Sequence, residues 1–498
     1  MVNNQNSVSS SPPQTVEGSP KEEKVEKKSG MGLIFFTLTL ISIRVSGGIV
    51  GISYAAEHIG FLLTFILQTM YLPLGVLSCW MFLKAKDITG RASLSDLGIY
   101  SYGRTGIYLF NFLIALGNLG FIIIFLIVFG DVSANLLERL GVDRNSFLAS
   151  RLCTQGFICI VLLYFVLKKE MHSLRYFGFM QICICMIFLI IFLIHSIVRD
   201  NPPTGKVDIL KTRFNIRFFA VLPTLFTSHG FQSAYFTAFS SLKNKTNRNG
   251  ILGDLFGRIT LYIVFNITIF IAAALYGDEI EKNLLKSNAT EEGILPALME
   301  FAFVLIPTLT IPGIFFVGKE GALIIFDEIT RKSYSKQNFK ESQKHSKSAK
   351  VHDIENLENF GERRNQVDNI HQENNLDLHP NLKGIQELNN AKTINPKEYL
   401  NMKPGYYYLV TIICYLSVLI LSVTVQDVTF FFGVVGSTLG SFSMWIGPGS
   451  FFIMAVHKEK YKLDSKLDKL TYACSYFYVI FGLMCLFGLN TCVILNII

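Results

Sequence analysis

The sequence predicts an all-α polytopic membrane protein with about eleven transmembrane helices. Half of the 498 residues are hydrophobic and only 16 % are charged, against roughly 25 % charged in an ordinary soluble domain. Residues 1–30 and 328–403 hold 32 of the 82 charges. The rest contains uncharged runs long enough to cross a bilayer, which takes about 20 apolar residues. These runs must be helical, because backbone groups have no water partner in hydrocarbon.

The apolar runs divide the chain into four parts. Residues 1–30 predict a disordered cytosolic tail, because polar letters and four lysines precede the first span and no cleavable signal is present. Residues 31–327 hold helices one to eight, and 404–498 hold helices nine to eleven. Residues 328–403 between them predict a largely disordered cytosolic loop, since they carry scarcely an aromatic residue. The predicted spans are 31–56, 61–83, 106–130, 152–167, 176–198, 218–240, 259–276, 294–317, 405–426, 429–456 and 471–496.

Basic residues predict the orientation. With a cytosolic amino terminus, 33 Lys and Arg lie on the inner side and 10 on the outer side, as the positive-inside rule requires. The carboxyl terminus is then extracellular or lumenal, and the sequon Asn288-Ala-Thr290 faces the side where glycosylation occurs. We therefore predict a glycan on Asn288. The plasma membrane and a vacuolar or lysosomal membrane both fit this orientation.

Composition and motifs argue against several other classes of protein. The basic residues form short clusters between apolar runs, which does not suggest nucleic-acid binding. The nine cysteines include no CxxC pair and have no clustered histidine, so we expect buried thiols, no metal and no other cofactor. One membrane-interior histidine without a second catalytic group does not make an enzyme. The sequence contains no repeated charged ring and no carbonyl filter motif, so it does not suggest a channel.

The first span contains a patch of small residues at mid-membrane depth. Two adjacent glycines in a helix weaken it, because each costs about 1 kcal/mol relative to alanine. A broken helix is tolerated there only if it lines a cavity or is buried in protein. We predict that this stretch binds substrate through Ser46, Gly47, Gly48, Ile49 and Gly51. Alternatively, the glycines only allow helices to pack closely.

The sixth span is interrupted at a comparable depth. Pro223 and the run Thr227, Ser228, His229 and Gly230 break an otherwise apolar segment. Two broken helices five spans apart are typical of an inverted five-helix repeat, with substrate held between the breaks. We therefore add Thr227, Ser228 and Gly230 to the predicted substrate site. His229 is a candidate coupling group, although a neutral histidine bonded within the core is the alternative.

Four further side chains are candidates for ion coupling. Arg44 lies half-way along the first span, where it needs a carboxylate or a carbonyl as partner. Thr308 and Thr310 lie between two prolines of the eighth span, and their hydroxyls with that of Ser42 are oxygen ligands suited to a hard cation. An ordinary proline kink is the alternative for the eighth span.

The order of four motifs resembles the amino acid/auxin permease family, within the amino acid, polyamine and organocation transporters. Gly48-Ile-Val-Gly-Ile-Ser-Tyr-Ala55 is similar to its first-helix motif, and Phe226-Thr-Ser-His-Gly-Phe231 to its sixth helix. Two further stretches complete the likeness. One runs from Ser95-Asp-Leu-Gly98 to Gly130-Asp131, and the other runs from Val434 to Gly440 and is followed by Pro448. The resemblance covers nearly the whole chain outside the tail and the loop.

This resemblance implies a leucine-transporter-like fold, an inverted repeat of ten core helices plus one. It also implies that an amino acid binds between the breaks of helices one and six. Ser42 stands where sodium-coupled members often carry Asn, and Ala234 and Ala238 replace a Pro and a Glu that usually follow the histidine. The departures favour H⁺ over Na⁺ as the coupling ion.

The function predicted is therefore secondary active transport of amino acids by alternating access, as a proton symporter, without enzymatic activity. The alternative is an amino acid sensor that signals through the loop of residues 328–403. The partners predicted are the amino acid substrate and the lipid bilayer, without nucleic acid. Protein partners, the amino acid selected and the oligomeric state do not follow from the sequence.

Overall fold

A computed structural model describes most of the chain between Met31 and Asn496. The described residues are 31–91, 93–169, 175–199, 212, 214–230, 232–277, 279–289, 291, 293–337, 398–425 and 427–496. The predicted tail of residues 1–30 and residues 338–397 of the predicted loop lie outside them.

The described part of the chain is built from helices and contains no strand, apart from an isolated bridge between Met31 and Leu242. This confirms the all-α prediction. The helices are α1 (Leu33–Ile59), α2 (Phe61–Thr89), α3 (Leu94–Arg139), α4 (Arg151–Val166), α5 (Arg175–Val198), α6 (Ile216–His229), α7 (Gln232–Ser240), α8 (Asn247–Tyr276), α9 (Leu284–Ala289), α10 (Ile294–Thr330), α11 (Pro404–Thr424), α12 (Val428–Val435), α13 (Gly447–Lys458) and α14 (Lys466–Leu495).

Eight helices of the described chain are long and apolar enough to cross a membrane, if residues 428–458 are counted as one helix. The two halves of α1 form a ninth span when they are taken together. The other two predicted spans are shorter in the structure. One is α4, with 16 residues. The other is the pair α6 and α7, with 14 and 9 residues. All eleven predicted segments are therefore helical, although not all are continuous.

Several helices extend beyond their predicted spans, among them α3 and α10. α3 begins at Leu94 and bends at Gly103, whose φ of 63° favours glycine. α10 continues to Thr330, two residues past the predicted start of the loop at residue 328. Polar residues at and after the end of α10 are hydrogen-bonded. Ser335 donates to the buried Glu328, and Arg331 Nη2 donates to the Glu398 carbonyl at 3.0 Å.

α1 occupies the centre of the helix assembly. It packs against α5, α6 and α8, while α10 packs along α3. Its side chains from Phe36 to Ile59 supply much of the buried core. Helices at the periphery instead expose large apolar side chains, which suits a lipid-facing surface; examples are Ile160, Ile190, Ile420 and Ile480.

The tenth predicted span is not a uniform α-helix. Residues Gly436–Ile446 between α12 and α13 form a π-helix. The backbone of α6 lies so close that a Cβ at Gly436 would fall 2.2 Å from the Pro223 carbonyl oxygen, and one at Gly440 would fall 2.9 Å from Phe226 Cβ. These glycines therefore allow close contact with α6, the interrupted helix. Such π segments are often found at functional sites.

Candidate functional site

The α6 helix ends where the sequence predicts an interruption. Gly230 leaves the helix with φ −88° and ψ 96°, and its amide still donates to the Phe226 carbonyl at 2.9 Å. α7 begins two residues later at Gln232. The regular hydrogen-bond ladder of α6 therefore ends with the Gly230 amide. The last carbonyl groups of α6 can bind a ligand, as those of helix ends can.

The first helix bends close to its glycines. The axes of Leu33–Val45 and Gly47–Ile59 differ by 53°. Three helices press on the bent region: a Cβ at Gly47 would lie 3.4 Å from Phe125 of α3, and one at Gly51 would lie 3.0 Å from Thr224 of α6. The closest approach is to α8, where a Cβ at Gly48 would lie 2.1 Å from Phe265 Cζ.

The two interrupted helices meet through Phe265. Its ring covers Gly48 on one side and makes an edge contact with His229 on the other, at 5.2 Å between ring centroids. Tyr71 of α2 also packs on His229, at 5.8 Å. Gly48, Phe265 and His229 are buried. The tertiary structure thus brings together predicted site residues that are 181 positions apart in the chain.

The hydroxyls of the sixth helix are bonded locally. Thr227 Oγ1 donates to the Pro223 carbonyl at 2.7 Å, and Ser228 Oγ donates to the Thr224 carbonyl at 2.7 Å. Both side chains are buried. Because each hydroxyl proton is already used, these groups face a ligand as acceptors.

The histidine at the end of α6 has one free ring nitrogen. His229 Nδ1 lies 3.2 Å from the Leu225 carbonyl oxygen, so it is the protonated nitrogen of the neutral ring. Nε2 is buried and has no hydrogen-bond partner among the described residues. A buried ring with an unpaired nitrogen can take up a proton only if water or a ligand reaches it.

Arg44 is buried just before the bend of α1, with 2 % of its surface exposed. Its Nη2 donates a 3.4 Å hydrogen bond to Ser233 Oγ of α7, and the guanidinium lies 4.3 Å from the centre of the Phe121 ring. Within the described part of the chain, Nε and Nη1 have no partner. The same holds for both amide atoms of the fully buried Gln232.

The three predicted cation ligands are directed largely to their own helices. Thr308 and Thr310 donate to the Val304 and Ile306 carbonyls at 2.8 and 2.7 Å. Ser42 Oγ donates to the Thr39 carbonyl at 3.0 Å. No described group of three or more His, Cys, Asp or Glu is placed to hold a metal ion. A cation site at Ser42 stays a prediction.

A family of known transporters matches almost the entire chain. Residues 32–495 fit the family described as transmembrane amino acid transporter protein. The chain belongs to this family. It is also 21 % identical to "Amino acid transporter AVT6E" of Arabidopsis thaliana over 316 residues, which is 58 % of this chain and 63 % of the plant protein. The chain therefore matches less than two thirds of that relative's length.

This family member contains a buried ion pair that the sequence interpretation missed. Asp254 and Arg258 lie one turn apart on α8, and Arg258 Nε donates to both carboxylate oxygens at 3.1 Å. Cys79 Sγ of α2 donates to Asp254 Oδ1 at 3.3 Å. Both charged side chains are at most 1 % exposed. The spacing Asp-x-x-x-Arg just before an apolar run was the available signal.

The sequence interpretation also missed two further buried charges. Lys319 of α10 is 2 % exposed, and its Nζ donates at 2.6 Å to the carbonyls of Val166 and Lys168. A cation at the carboxyl end of α4 complements the helix dipole. Glu300 of α10 is fully buried and pairs with Arg139 at 2.8 Å.

The predicted glycosylation site does not fit the structure. The Asn288 side chain is fully buried, and its Nδ2 donates to the Pro296 carbonyl at 3.1 Å. A glycan needs an exposed asparagine in the folded protein. The burial of Asn288 therefore argues against the predicted glycan, since the three-letter pattern carries no information about burial.

A polar cavity of about 260 Å³ lies where α3, α4 and the segment before α9 meet. Arg151 and Lys286 both contact Asp131 there, at 2.5 and 3.3 Å. Its charged and polar lining is Asp131, Arg151, Glu281, Lys282, Asn283, Lys286 and Asp427.

Asp427 lines this cavity and caps α12. Burial alone would raise the pKa of the Asp427 carboxyl, but hydrogen bonds from Lys282 and Thr429 outweigh it and lower the pKa. The pKa of Asp427 is thus lower in the folded protein than in the unfolded chain. The ionised carboxyl therefore stabilises the fold when the pH is above its ordinary pKa, and this stabilisation is lost as the pH falls through the lowered pKa.

Proposed function

We propose that this chain is a secondary active transporter that carries amino acids across a membrane by alternating access. The observation that carries the proposal is the meeting of two interrupted helices, α1 and α6, at Gly48, Phe265 and His229. In secondary transporters, paired broken helices near the middle of the membrane form the substrate site. Family membership supports amino acids as the substrate class.

The substrate's α-carboxylate lies at the start of the second half of α1 in this proposal. The half-helix Gly47–Ile59 begins there, and its first N–H groups and positive dipole end favour an anion. The residues proposed to bind it are Ser46, Gly47, Gly48 and Ile49, with Gly51 one turn after Gly47.

The substrate's α-ammonium group faces the end of α6 in the same arrangement. The carbonyl groups of the last turn and the oxygen lone pairs of Thr227 and Ser228 are acceptors. Gly230 allows the chain to leave the helix at this point. The ring of Phe265 must move away from Gly48 to admit substrate, since the two surfaces are in contact.

Protons drive transport in this proposal, and His229 is the coupling group. Its Nε2 has no described partner. The ring lies against Phe265, which covers Gly48 at the bend of α1. Histidine changes charge near physiological pH when water reaches it. Sodium coupling would instead use the oxygens of Ser42, Thr308 and Thr310.

The orientation and the membrane are part of the same proposal. The excess of Lys and Arg in alternate connections favours a cytosolic amino terminus and an extracellular or lumenal carboxyl terminus. The protein then works in the plasma membrane or in a vacuolar or lysosomal membrane.

Uptake of a pool of radiolabelled amino acids tests the proposal. Cells that express the protein are assayed at about pH 5.5 and about pH 7.5, on either side of histidine's ordinary pKa, with sodium replaced by choline. We expect sodium-independent uptake that rises at acid pH. Strict sodium dependence would overturn proton coupling. No uptake at verified surface expression, followed by none from purified proteoliposomes, would overturn transport and favour the sensor alternative.

A further inference from the structure

The buried Arg44 has a charge that no described residue neutralises. Its described polar contact is the neutral hydroxyl of Ser233, and its other described contact is the Phe121 ring. Two guanidinium nitrogens have no partner in the described chain. Leaving a cation unpaired at membrane depth is costly, and such residues are usually paired or functional.

Several buried acidic side chains of the described chain are paired with other cations. Asp254 pairs with Arg258, and Glu300 pairs with Arg139. Asp327 and Glu328 at the end of α10 contact Arg331 and Arg104. No ion pair to Arg44 is formed within the described ranges.

A second observation points to a ligand at the same place. Gln232, the first residue of α7, is fully buried, and neither its amide oxygen nor its amide nitrogen has a described partner. A Cβ at Gly230 would lie 3.6 Å from Gln232 Oε1, so this amide turns back toward the break. Arg44 contacts the next residue, Ser233. Arg44 and Gln232 together have three donor nitrogens and one acceptor oxygen without a described partner, and Ser233 connects the two residues.

The charge balance of the site decides the class of substrate. An amino acid with a neutral side chain is a zwitterion of zero net charge, so it leaves the positive charge of Arg44 uncompensated. An acidic amino acid adds one net negative charge, and arginine recognises carboxylates through paired N–H donors. Arg44 Nη2 uses only one of its two N–H groups for Ser233. Its other N–H can act together with the unpartnered Nε or the unpartnered Nη1 on the same side of the guanidinium.

We propose that the substrate is an acidic amino acid and that Arg44 binds its side-chain carboxylate, with Gln232 completing the contact. This inference rests on the proposed function, because it assigns the ligand chemistry of the same site. The α-carboxylate stays at the bend of α1, and Arg44 adds the second anionic subsite on the α7 side.

Paired isosteric substrates test the inference. The full-length protein is reconstituted into proteoliposomes, and initial uptake of glutamate is compared with glutamine, and of aspartate with asparagine. We expect the wild type to prefer each acid by about tenfold or more, the scale expected for losing a paired charge. Equal uptake of glutamine and glutamate would overturn the inference while leaving amino acid transport intact. No uptake of any amino acid would instead overturn the proposed function.

Variants of the subsite separate charge from folding. Arg44→Gln should lose glutamate uptake and keep glutamine uptake, whereas Arg44→Lys should keep part of the preference. Ser233→Asp places a carboxylate at the hydroxyl that Arg44 contacts and should also exclude glutamate, with Ser233→Thr as its matched control. Glutamate should raise the melting temperature of the wild type and not that of Ser233→Asp. Equal losses of glutamate and glutamine uptake in Arg44→Gln would overturn the side-chain role.

Discussion

The Phe265 ring lies directly over Gly48, so that a Cβ added at position 48 would fall 2.1 Å from Phe265 Cζ. Gly48 belongs to the bent first helix and Phe265 to α8. The contact closes the space beside the α1 bend, and its opening is a required step in the proposed transport cycle. Glycine is needed here for close approach, not for an unusual backbone conformation.

Gly48→Ala should therefore strongly reduce uptake at unchanged surface expression. Overpacking a filled site costs about 1–3 kcal/mol, and the ring must move to accept even one methyl group. Initial uptake rates per surface-labelled protein measure the effect. Gly156→Ala is the matched control, because a Cβ at this α4 glycine meets nothing within 4 Å. Replacing Phe265 by Ala in the Gly48→Ala protein should restore part of the uptake. Equal uptake rates in Gly48→Ala and the wild type would refute the proposed site.

The buried pair of Asp254 and Arg258 should be needed as a pair. Neutralising one partner, as in Asp254→Asn or Arg258→Met, leaves an uncompensated buried charge and should cost about 3–5 kcal/mol of stability. The double variant should be close to wild type, since an apolar replacement removes both charges together. Melting temperatures in detergent measure these changes.

The half-exposed pair of Lys282 and Asp427 is the control for that experiment. Breaking an exposed ion pair costs about 0–1 kcal/mol, so Lys282→Met should have little effect. A double variant of Asp254 and Arg258 that melts as low as either single variant would contradict the pairwise account.

Replacing His229 should remove the pH dependence of uptake. His229→Gln keeps a polar side chain of similar size but cannot take up a proton in this range. We expect similar uptake at about pH 5.5 and about pH 7.5 in this variant, against a clear acid stimulation in wild type. His457→Gln is the control, since His457 is exposed and bonded to Tyr472. Acid stimulation that survives in His229→Gln would place the coupling group elsewhere.

Asn288 should carry no glycan in the folded protein. Treatment with an endoglycosidase should leave the electrophoretic mobility unchanged. Asn288→Ala should lower the stability by about 1–3 kcal/mol, because the Pro296 carbonyl loses its buried donor. Thr290→Ala removes the sequon and keeps the amide, so it serves as the control. A mobility shift that disappears in both variants would show that the side chain becomes exposed during synthesis.

Local chemistry accounts for the parts of the fold that the sequence predicts. The glycines of α1 weaken its helix, and the 53° bend lies beside them. Gly230 ends α6 where the run of small polar residues interrupts an apolar segment. Bilayer thickness and the need to satisfy backbone hydrogen bonds similarly determine which apolar segments are helical.

Other features depend on which helices meet, and no local pattern contains that information. The sequon at Asn288 reads the same whether the side chain is exposed or buried against Pro296. Asp327 and Glu328 look like the start of a solvated loop until Arg331, Ser333 and Ser335 fold back on them. The π-helix at Gly436–Ile446 coincides with the close contact of α6.

By itself, the sequence determined an all-helical membrane protein with two weakened spans, because helix formation and membrane insertion depend on composition and on neighbours within a few residues. Only the tertiary structure decided that Phe265 covers Gly48, that Asp254 and Arg258 are both buried, and that Arg44 forms no ion pair with a described residue. Those relationships join residues from different helices or depend on burial. Both the contacts and the burial are set by how the helices pack, which depends on residues far apart in the chain.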